Sequence, residues 1–419
     1  MKSLFVLGLV AASPDTFILN AFPIQLHLNG SNEVSSPIEV KLLGGLQLNS
    51  TVHEFSSIIH TGVGRTILGV TDEGEAVEFD LTYSRDSLIG VSNYGKRIVL
   101  ADSSGTLLND SKSELGDAEG IARVPFSLSG IESTVVLLES AKGGRVLHFD
   151  VSPGNFFSEN LSPSEKAWSS GISFCPNSLR KSNGFESIAW ANGGLVVVCE
   201  EGTTKGNLTV NEGRWMNTSS SESFSLVSKF GLHPVEIRSE GGLVWVLWRR
   251  FNRDTRLLEI SLEIFPESDL VSNAVINGTL VLYLTNKNSN LDNFEAMTVQ
   301  RLSRDCLKSN RSIRGLQTDS FLVTMLSDDN DNKKQRTLLY SFGVFPGFSS
   351  DLKQSEFCPF SELGSLPSWT VLTWTVATWI SAAILLMVIL SLGFWMYLCR
   401  KKGKPENNNR DRPPTLISF

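Results

Sequence analysis

The sequence predicts an all-β domain organised as a β-propeller-like repeat, followed by one C-terminal transmembrane helix. Three observations lead there: apolar runs of strand length between Gly, Ser, Asn and Asp turns, the recurrence of those runs in similar units, and a long uncharged stretch near the C terminus. Gly, at 34 residues against 15 Pro, fits a turn-rich β chain better than a helical bundle.

Composition bounds the rest. The 419 residues suit one large or two ordinary domains. With 41% hydrophobic and 19% charged residues the chain can build a core and lacks the signature of a disordered protein. Lys and Arg number 37 against 44 Asp and Glu, a formal charge of −7, and no basic stripe marks a nucleic-acid partner.

At the N terminus, Lys2 precedes the apolar run Leu4 to Val10 and the small residues Ala11, Ala12 and Ser13, the layout of a secretory signal peptide within residues 1–21. Cleavage follows Ala12, or comes later at Ala21 because Phe17, Ile18 and Leu19 prolong the apolar character. An N-terminal buried strand is the alternative for these residues.

From residue 22 to 367 an ectodomain is expected. Its strands include Val135-Val136-Leu137-Leu138, Leu195-Val196-Val197-Val198, Leu243 to Trp248, Leu280 to Leu284 and Phe321 to Leu326, rich in β-branched and aromatic residues. No segment here has sustained helical periodicity, and the serine-dominated stretch Thr218 to Ser225 reads as an exposed loop. Three units recur. They open at Asp117-Ala118-Glu119-Gly120-Ile121-Ala122, Gly184-Phe185-Glu186-Ser187-Ile188-Ala189 and Asn293-Phe294-Glu295-Ala296-Met297. Each has an acidic residue just before a strand and a second apolar strand that ends in an acid: Glu139, Glu200 and Asp328-Asp329. Repeated small sheets are the blades of a propeller. The strand near Ile38 to Leu43 would complete the last blade beside Leu338 to Phe342 and close the ring.

Residues 371–398 carry no charge, and the 23 residues from Val376 to Leu398 are long enough for a hydrocarbon core of about 30 Å. Trp369, Trp374, Trp379, Trp395 and Tyr397 stand mostly towards its two ends, where amphipathic rings favour the interface. The tail, residues 399–419, has six basic and two acidic side chains. By the positive-inside rule it is cytosolic, and the ectodomain is lumenal or extracellular in a secretory-pathway or plasma membrane. Sequons start at Asn29, Asn49, Asn109, Asn160, Asn207, Asn217, Asn277 and Asn310, all on the lumenal side. Cys175, Cys199, Cys306 and Cys358 share that side and allow two disulfides in any of three connectivities. Cys399, at the cytosolic edge, is a palmitoylation candidate or a plain buried thiol.

Particular segments resemble the phytase-like family, whose domain is named for an esterase-like activity of phytase. They are Ile67 to Gly74, DAEGIA at 117–122, NGFESIAW at 183–190, the Leu-Trp-Arg ending at Arg249, and above all DNFEAM at 292–297 with SDDN at 327–330 and QRTLLYSF at 335–342. The likeness runs from about residue 38 to 345. It implies a propeller-like domain and, by name, hydrolysis of a phosphate ester or ester; shared fold alone transfers no chemistry. Ser187 and Ala296 stand where the family favours Gly, Trp248 where it favours an acid before Arg249, and Asp331 where an aromatic is usual.

Candidate catalytic residues are therefore Asp72, Asp117, Glu119, Glu186, Arg249, Glu295, Asp328 and Arg336. Placed at equivalent strand ends, the acids converge near a central channel. Glu119, Glu186, Glu295, Asp328 and Asp329 would suit a hard cation such as Ca²⁺, able to bridge phosphate oxygens and orient water for attack. Arg is the natural fork for a phosphate. The alternative is that the acids cap turns and pair with Arg to hold blades together. Other motifs fail. Gly90 to Lys96 has P-loop spacing but is followed by Arg97 instead of a hydroxyl residue, and the stretch from Asp328 lacks the turn glycine of a calcium loop. His27, His53, His60, His148 and His233 form no zinc spacing, and no G-x-S-x-G elbow occurs. Two readings follow: a metal-assisted hydrolase of small phosphate-ester or ester substrates, or a non-catalytic ectodomain for a protein or glycan ligand.

Overall fold

The computed structural model describes residues 15–24, 38–62, 65–84, 87–101, 105–108, 117–125, 132–138, 145–157, 164–166, 184–205, 208–215, 222–287, 291–302, 320–328 and 336–346. Among them the chain is all-β, its only helical turns being two 3-10 pieces at Pro153–Asn155 and Glu267–Asp269. No helix of the described residues is long and apolar enough to cross a membrane. The predicted span and tail, and the signal-peptide residues 1–14, lie outside the described residues.

Among the described residues five antiparallel sheets follow one another. The chain opens with β1 (Asp15–Ile24) and β2 (Ile38–Ser50). Sheet one is β3 (Phe55–His60), β4 (Thr66–Thr71), β5 (Glu75–Ser84) and β7 (Tyr94–Val99), with β6 (Ser87–Val91) folded onto β5. Sheet two is β8 (Ala118–Val124), β9 (Ser133–Leu138), β10 (Arg145–Phe149) and β11 (Ser164–Lys166). Sheet three is β12 (Phe185–Ala191), β13 (Gly194–Lys205), β14 (Leu208–Trp215) and β15 (Ser223–Ser228). Sheet four is β16 (His233–Glu240), β17 (Leu243–Asn252), β18 (Leu257–Pro266) and β20 (Thr279–Thr285), while β19 (Val275–Asn277) runs parallel to β15. Sheet five is β21 (Asn293–Arg301), β22 (Phe321–Asp328) and β23 (Thr337–Pro346), completed by β2.

The first strands of the sheets pack side by side in the cyclic order β3, β8, β12, β16, β21 and back to β3, which makes the domain β-propeller-like. Five apolar clusters fill the five junctions. Phe55 and Val77 meet Leu322 and Leu339 between sheets one and five, and Ala122 and Val135 meet Phe185 and Ile188 between two and three. Each sheet thus has a neighbour on both faces, and its middle strands have no solvent side. That is why they read as unbroken apolar runs rather than alternating ones: Ser133–Leu138 and Phe321–Asp328 are buried at every residue. Gly120 sits where two first strands nearly touch. A Cβ there would stand 3.0 Å from the Ile188 amide nitrogen, so only glycine fits without movement.

Closure follows the expected pairing. β2 runs antiparallel to β23 with Leu42 opposite Phe342 and Leu48 opposite Thr337. β1 then bridges β2 and β7, joining the outer edges of sheets five and one, with Phe17 and Leu19 in the core. Asn49 and Asn277, the two sequon asparagines among the described residues, are exposed. Cys199 is buried, and the other cysteines lie outside the described residues.

Candidate functional site

All five first strands carry a β-bulge at the same place. The register against the second strand skips one residue between Phe55 and Ser57, Ala118 and Gly120, Phe185 and Ser187, Pro234 and Glu236, and Phe294 and Ala296. A bulge re-aims the extra side chain. The extra residues are Ser56, Glu119, Glu186, Val235 and Glu295, so one end of the channel receives three acids from this ring. The same register aligns the residues that follow the second strands. Thr71, Leu138, Cys199, Trp248 and Ser327 face the residues just before the bulges, and next come Asp72, Glu139, Glu200, Arg249 and Asp328. Arg249 itself, not Trp248, therefore occupies the fourth blade's version of the acidic position. Trp248 belongs with the buried residues of that row. Glu139 lies outside the described residues.

Arg249 is the hub of this mouth. Its Nη1 donates to the Glu295 carboxylate and to Asn293 Oδ1, and Nη2 stands 4.0 Å from Glu200. Burial disfavours the charged guanidinium, yet Glu295, Glu186 and Glu200 together hold its pKa above the ordinary value. Asn293 Nδ2 donates to Glu295 Oε1 at 2.7 Å and to Asp328 Oδ2 at 3.3 Å, extending the cluster across sheet five. On the other side Asp72 accepts a hydrogen bond from Ser56. Burial pushes the Asp72 carboxyl up to about 7, and the charges of Glu295, Glu54 and Asp117 add to this against the Ser56 bond. Asp117 is raised as well, by burial.

The structure thus brings Asp72, Asp117, Glu186, Arg249, Glu295 and Asp328 to one mouth, with Glu119 at the equivalent bulge. Arg336 is exposed, and its contact with this region is made by its backbone N–H, which donates to Asp292 Oδ2 at 2.9 Å. Asp329 lies outside the described residues. A cavity of about 740 Å³ opens beside this mouth on the side of sheets four and five, lined among others by Glu200, His233, Arg249, Arg253, Asn293 and Glu295, while Asp72 and Asp117 stand outside its lining. Among the described residues no three carboxylate, histidine or cysteine side chains stand together as a metal cluster, and the guanidinium of Arg249 already neutralises carboxylates that a cation would take.

Sequence reasoning missed the layer beneath. Glu236 and Arg238 on β16 form a buried ion pair at 2.8 Å inside the channel. Glu236 accepts from Ser57 Oγ at 2.8 Å, from Ser187 Oγ, and from the Met297 amide at 3.4 Å. Arg238 donates to the carbonyls of Ile58, Ile188 and Met297 and to Ser57 Oγ, which also accepts from the Ile121 amide. One ion pair therefore ties together all five first strands and blocks the channel. Burial pushes the Glu236 carboxyl upward, while Arg238 and the serine hydroxyls pull it back. The available signal was Ser187 in place of the usual glycine, since its hydroxyl is a partner of Glu236.

Residues 50–331 match the family described as Phytase-like, esterase-like activity of phytase. No curated protein matches the chain. Similar solved structures include the phage phi92 endosialidase, at 8% identity and a TM-score of 0.33 over 80% of this chain and 61% of that one. The structure of U3-55K is similar at 8% identity and a TM-score of 0.31, over 75% of this chain and 99% of that one. The RRP9 WD40 repeats are similar at 7% identity and a TM-score of 0.31, over 76% and 100%.

Proposed function

This chain belongs to the phytase-like family, and from that premise we propose that its acidic mouth hydrolyses an uncharged ester by paired carboxyl chemistry. The observation that carries the reading is Asp72, raised to about 7 and sharing a mouth with Glu295, which Arg249 fixes in an ion pair. Two carboxyl groups in unlike environments are the usual basis for dividing acid and base roles. Glu295 takes a proton from water as the water oxygen bonds to the ester carbonyl carbon. The carbon–oxygen bond to the alcohol then breaks, and Asp72 gives its proton to the leaving oxygen. Proton exchange with solvent resets the pair.

Charge decides the substrate class. With Asp72 protonated, Asp117, Glu186, Glu200, Glu295 and Asp328 still outnumber the cations around them, so a phosphate monoester meets repulsion unless a cation accompanies it. The reading keeps a single-pass type I arrangement, supported by the uncharged residues 371–398 and the basic tail. The test is turnover of p-nitrophenyl acetate and p-nitrophenyl phosphate by the full chain in detergent, with Ca²⁺ and with chelator. Acetate turnover without metal, reduced by about 10²-fold or more in Asp72→Asn, is expected. Phosphate turnover that requires Ca²⁺, with no metal-free acetate turnover, would replace this reading by the metal-assisted one.

A further inference from the structure

The channel has a second mouth, at the far ends of the same five strands. A cavity of about 410 Å³ opens there, separated from the acidic mouth by the Glu236–Arg238 pair. All five first strands contribute to its lining, whose charged side chains are Arg123, Arg238 and Arg301 against Glu240 alone. Its size falls within the range of small-molecule sites.

Arg238 forms the floor and is fully engaged. It donates to the carbonyls of Met297, Ile188, Ile237 and Ile58, to Ser57 Oγ and to Glu236, which also cancels its charge. The other two guanidinium groups come from either side of β3. Strands β8 and β21 both pack against that strand, and Arg123 and Arg301 stand at their far ends. Glu240 reveals that they converge: burial raises its carboxyl, while the charge of Arg123, a hydrogen bond from the Arg301 backbone N–H and the charge of Arg301 all oppose that shift. Two cations therefore face one carboxylate whose charged form burial disfavours. Gly62, just past the end of β3 at φ +78°, makes room for the first of them. A Cβ there would stand 3.1 Å from Arg123 Nη1, so glycine lets the guanidinium lie against the strand end. Arg123 also pairs with Glu132, which lies outside the cavity lining. The Arg123 side chain is 48% exposed, and ion pairs open to solvent contribute little, so a ligand can draw its guanidinium from Glu132.

We propose that this second mouth binds a small organic oxyanion, a carboxylate or phosphate group on a compact apolar body, between Arg123 and Arg301. The inference does not depend on the hydrolytic reading. The planar guanidinium fork matches carboxylate and phosphate oxygens alike. The partly buried indole of Trp190 supplies a flat wall for the body that carries them. Such a ligand is repelled by the acidic mouth, so the two ends of one channel differ in the sign of the charge they accept.

The experiment is calorimetric titration of the full chain with benzoate and phenyl phosphate, and with benzyl alcohol as the uncharged counterpart of benzoate. Saturable binding of at least one of the two anions is expected, weakened about tenfold or more in Arg301→Gln and in Arg123→Gln. Glu240→Gln removes the competing carboxylate and is expected to tighten binding about threefold or more, a gain that a folding defect cannot produce. Lys96→Gln, which removes an exposed charge on sheet one, is expected to leave affinity unchanged. Absence of saturable binding to both anions, or equal affinity in the wild type and both arginine variants, overturns the proposal. So does benzyl alcohol binding as tightly as benzoate, a Glu240→Gln variant that binds no more tightly than wild type, or a loss in Lys96→Gln equal to that in the arginine variants.

Discussion

Glu236 shows how one side chain can be essential to a repeat fold and still be hidden in its sequence. The repeated acids at Glu119, Glu186 and Glu295 are legible because they hold one position, the bulge. In the fourth blade that position is Val235, and the acid stands one residue later, where it points into the channel and meets Ser57, Ser187 and Arg238. A displaced acid looks like noise until the register is known. Removing one partner of a buried pair strands the other charge, so Glu236→Ala is expected to cost about 3–5 kcal/mol in chemical denaturation. Glu263 on β18 poses the opposite case. It is buried, neither oxygen finds a hydrogen-bond partner among the described residues, and burial lifts its pKa to about 7 against the opposing charge of Lys229. Between the unfolded value of 4.5 and about 7 the folded state holds the extra proton, so this residue's contribution is best at low pH and declines as pH rises through that window. Glu263→Gln should therefore raise the melting temperature more at pH 8 than at pH 5, and an equal change at both pH values would refute the assignment.

At the scale of elements, the strands were largely readable and the bulges were not. Runs such as Val135 to Leu138 announce strands covered on both faces, and the pairing of β2 with β23 follows the ring closure expected of a propeller. A bulge leaves no mark in hydrophobicity, because it is defined by the partner strand. Three blades were recognised from Glu119, Glu186 and Glu295. The first and fourth escaped because Ser56 and Val235 break the acidic pattern, although Ile58, Ile121, Ile188, Ile237 and Met297 repeat as buried residues two positions beyond each bulge. Strand β1 bears on processing of the N terminus. Phe17 and Leu19 pack into the junction between sheets one and five, and β1 supplies ladders to both β2 and β7. Cleavage at Ala21 would remove most of that strand. Mass spectrometry of the purified chain is expected to find a mature N terminus ahead of Asp15, as cleavage after Ala12 would give; a terminus at Phe22 would exclude β1 from the mature fold.

For the whole molecule, a ring of five sheets turns a local repeat into two chemically distinct mouths. Equivalent positions gather at one end simply because each blade contributes the same strand terminus, so the convergence of Asp72, Glu186, Glu295 and Asp328 follows from repetition itself. That much was legible. The identity of the central plug and the role of Arg249 as the fourth blade's departure from an acidic row depend on contacts between blades far apart in sequence. The pH–rate profile of acetate-ester hydrolysis by the full chain, compared between wild type and Asp72→Asn, tests the hydrolytic assignment most directly. A general acid raised to about 7 must lose its proton above that pH. The wild-type rate should fall as pH rises through about 7, and Asp72→Asn should be slower by about 10²-fold or more with that fall abolished. An Asp72→Asn rate equal to wild type, with the same pH dependence, would contradict it.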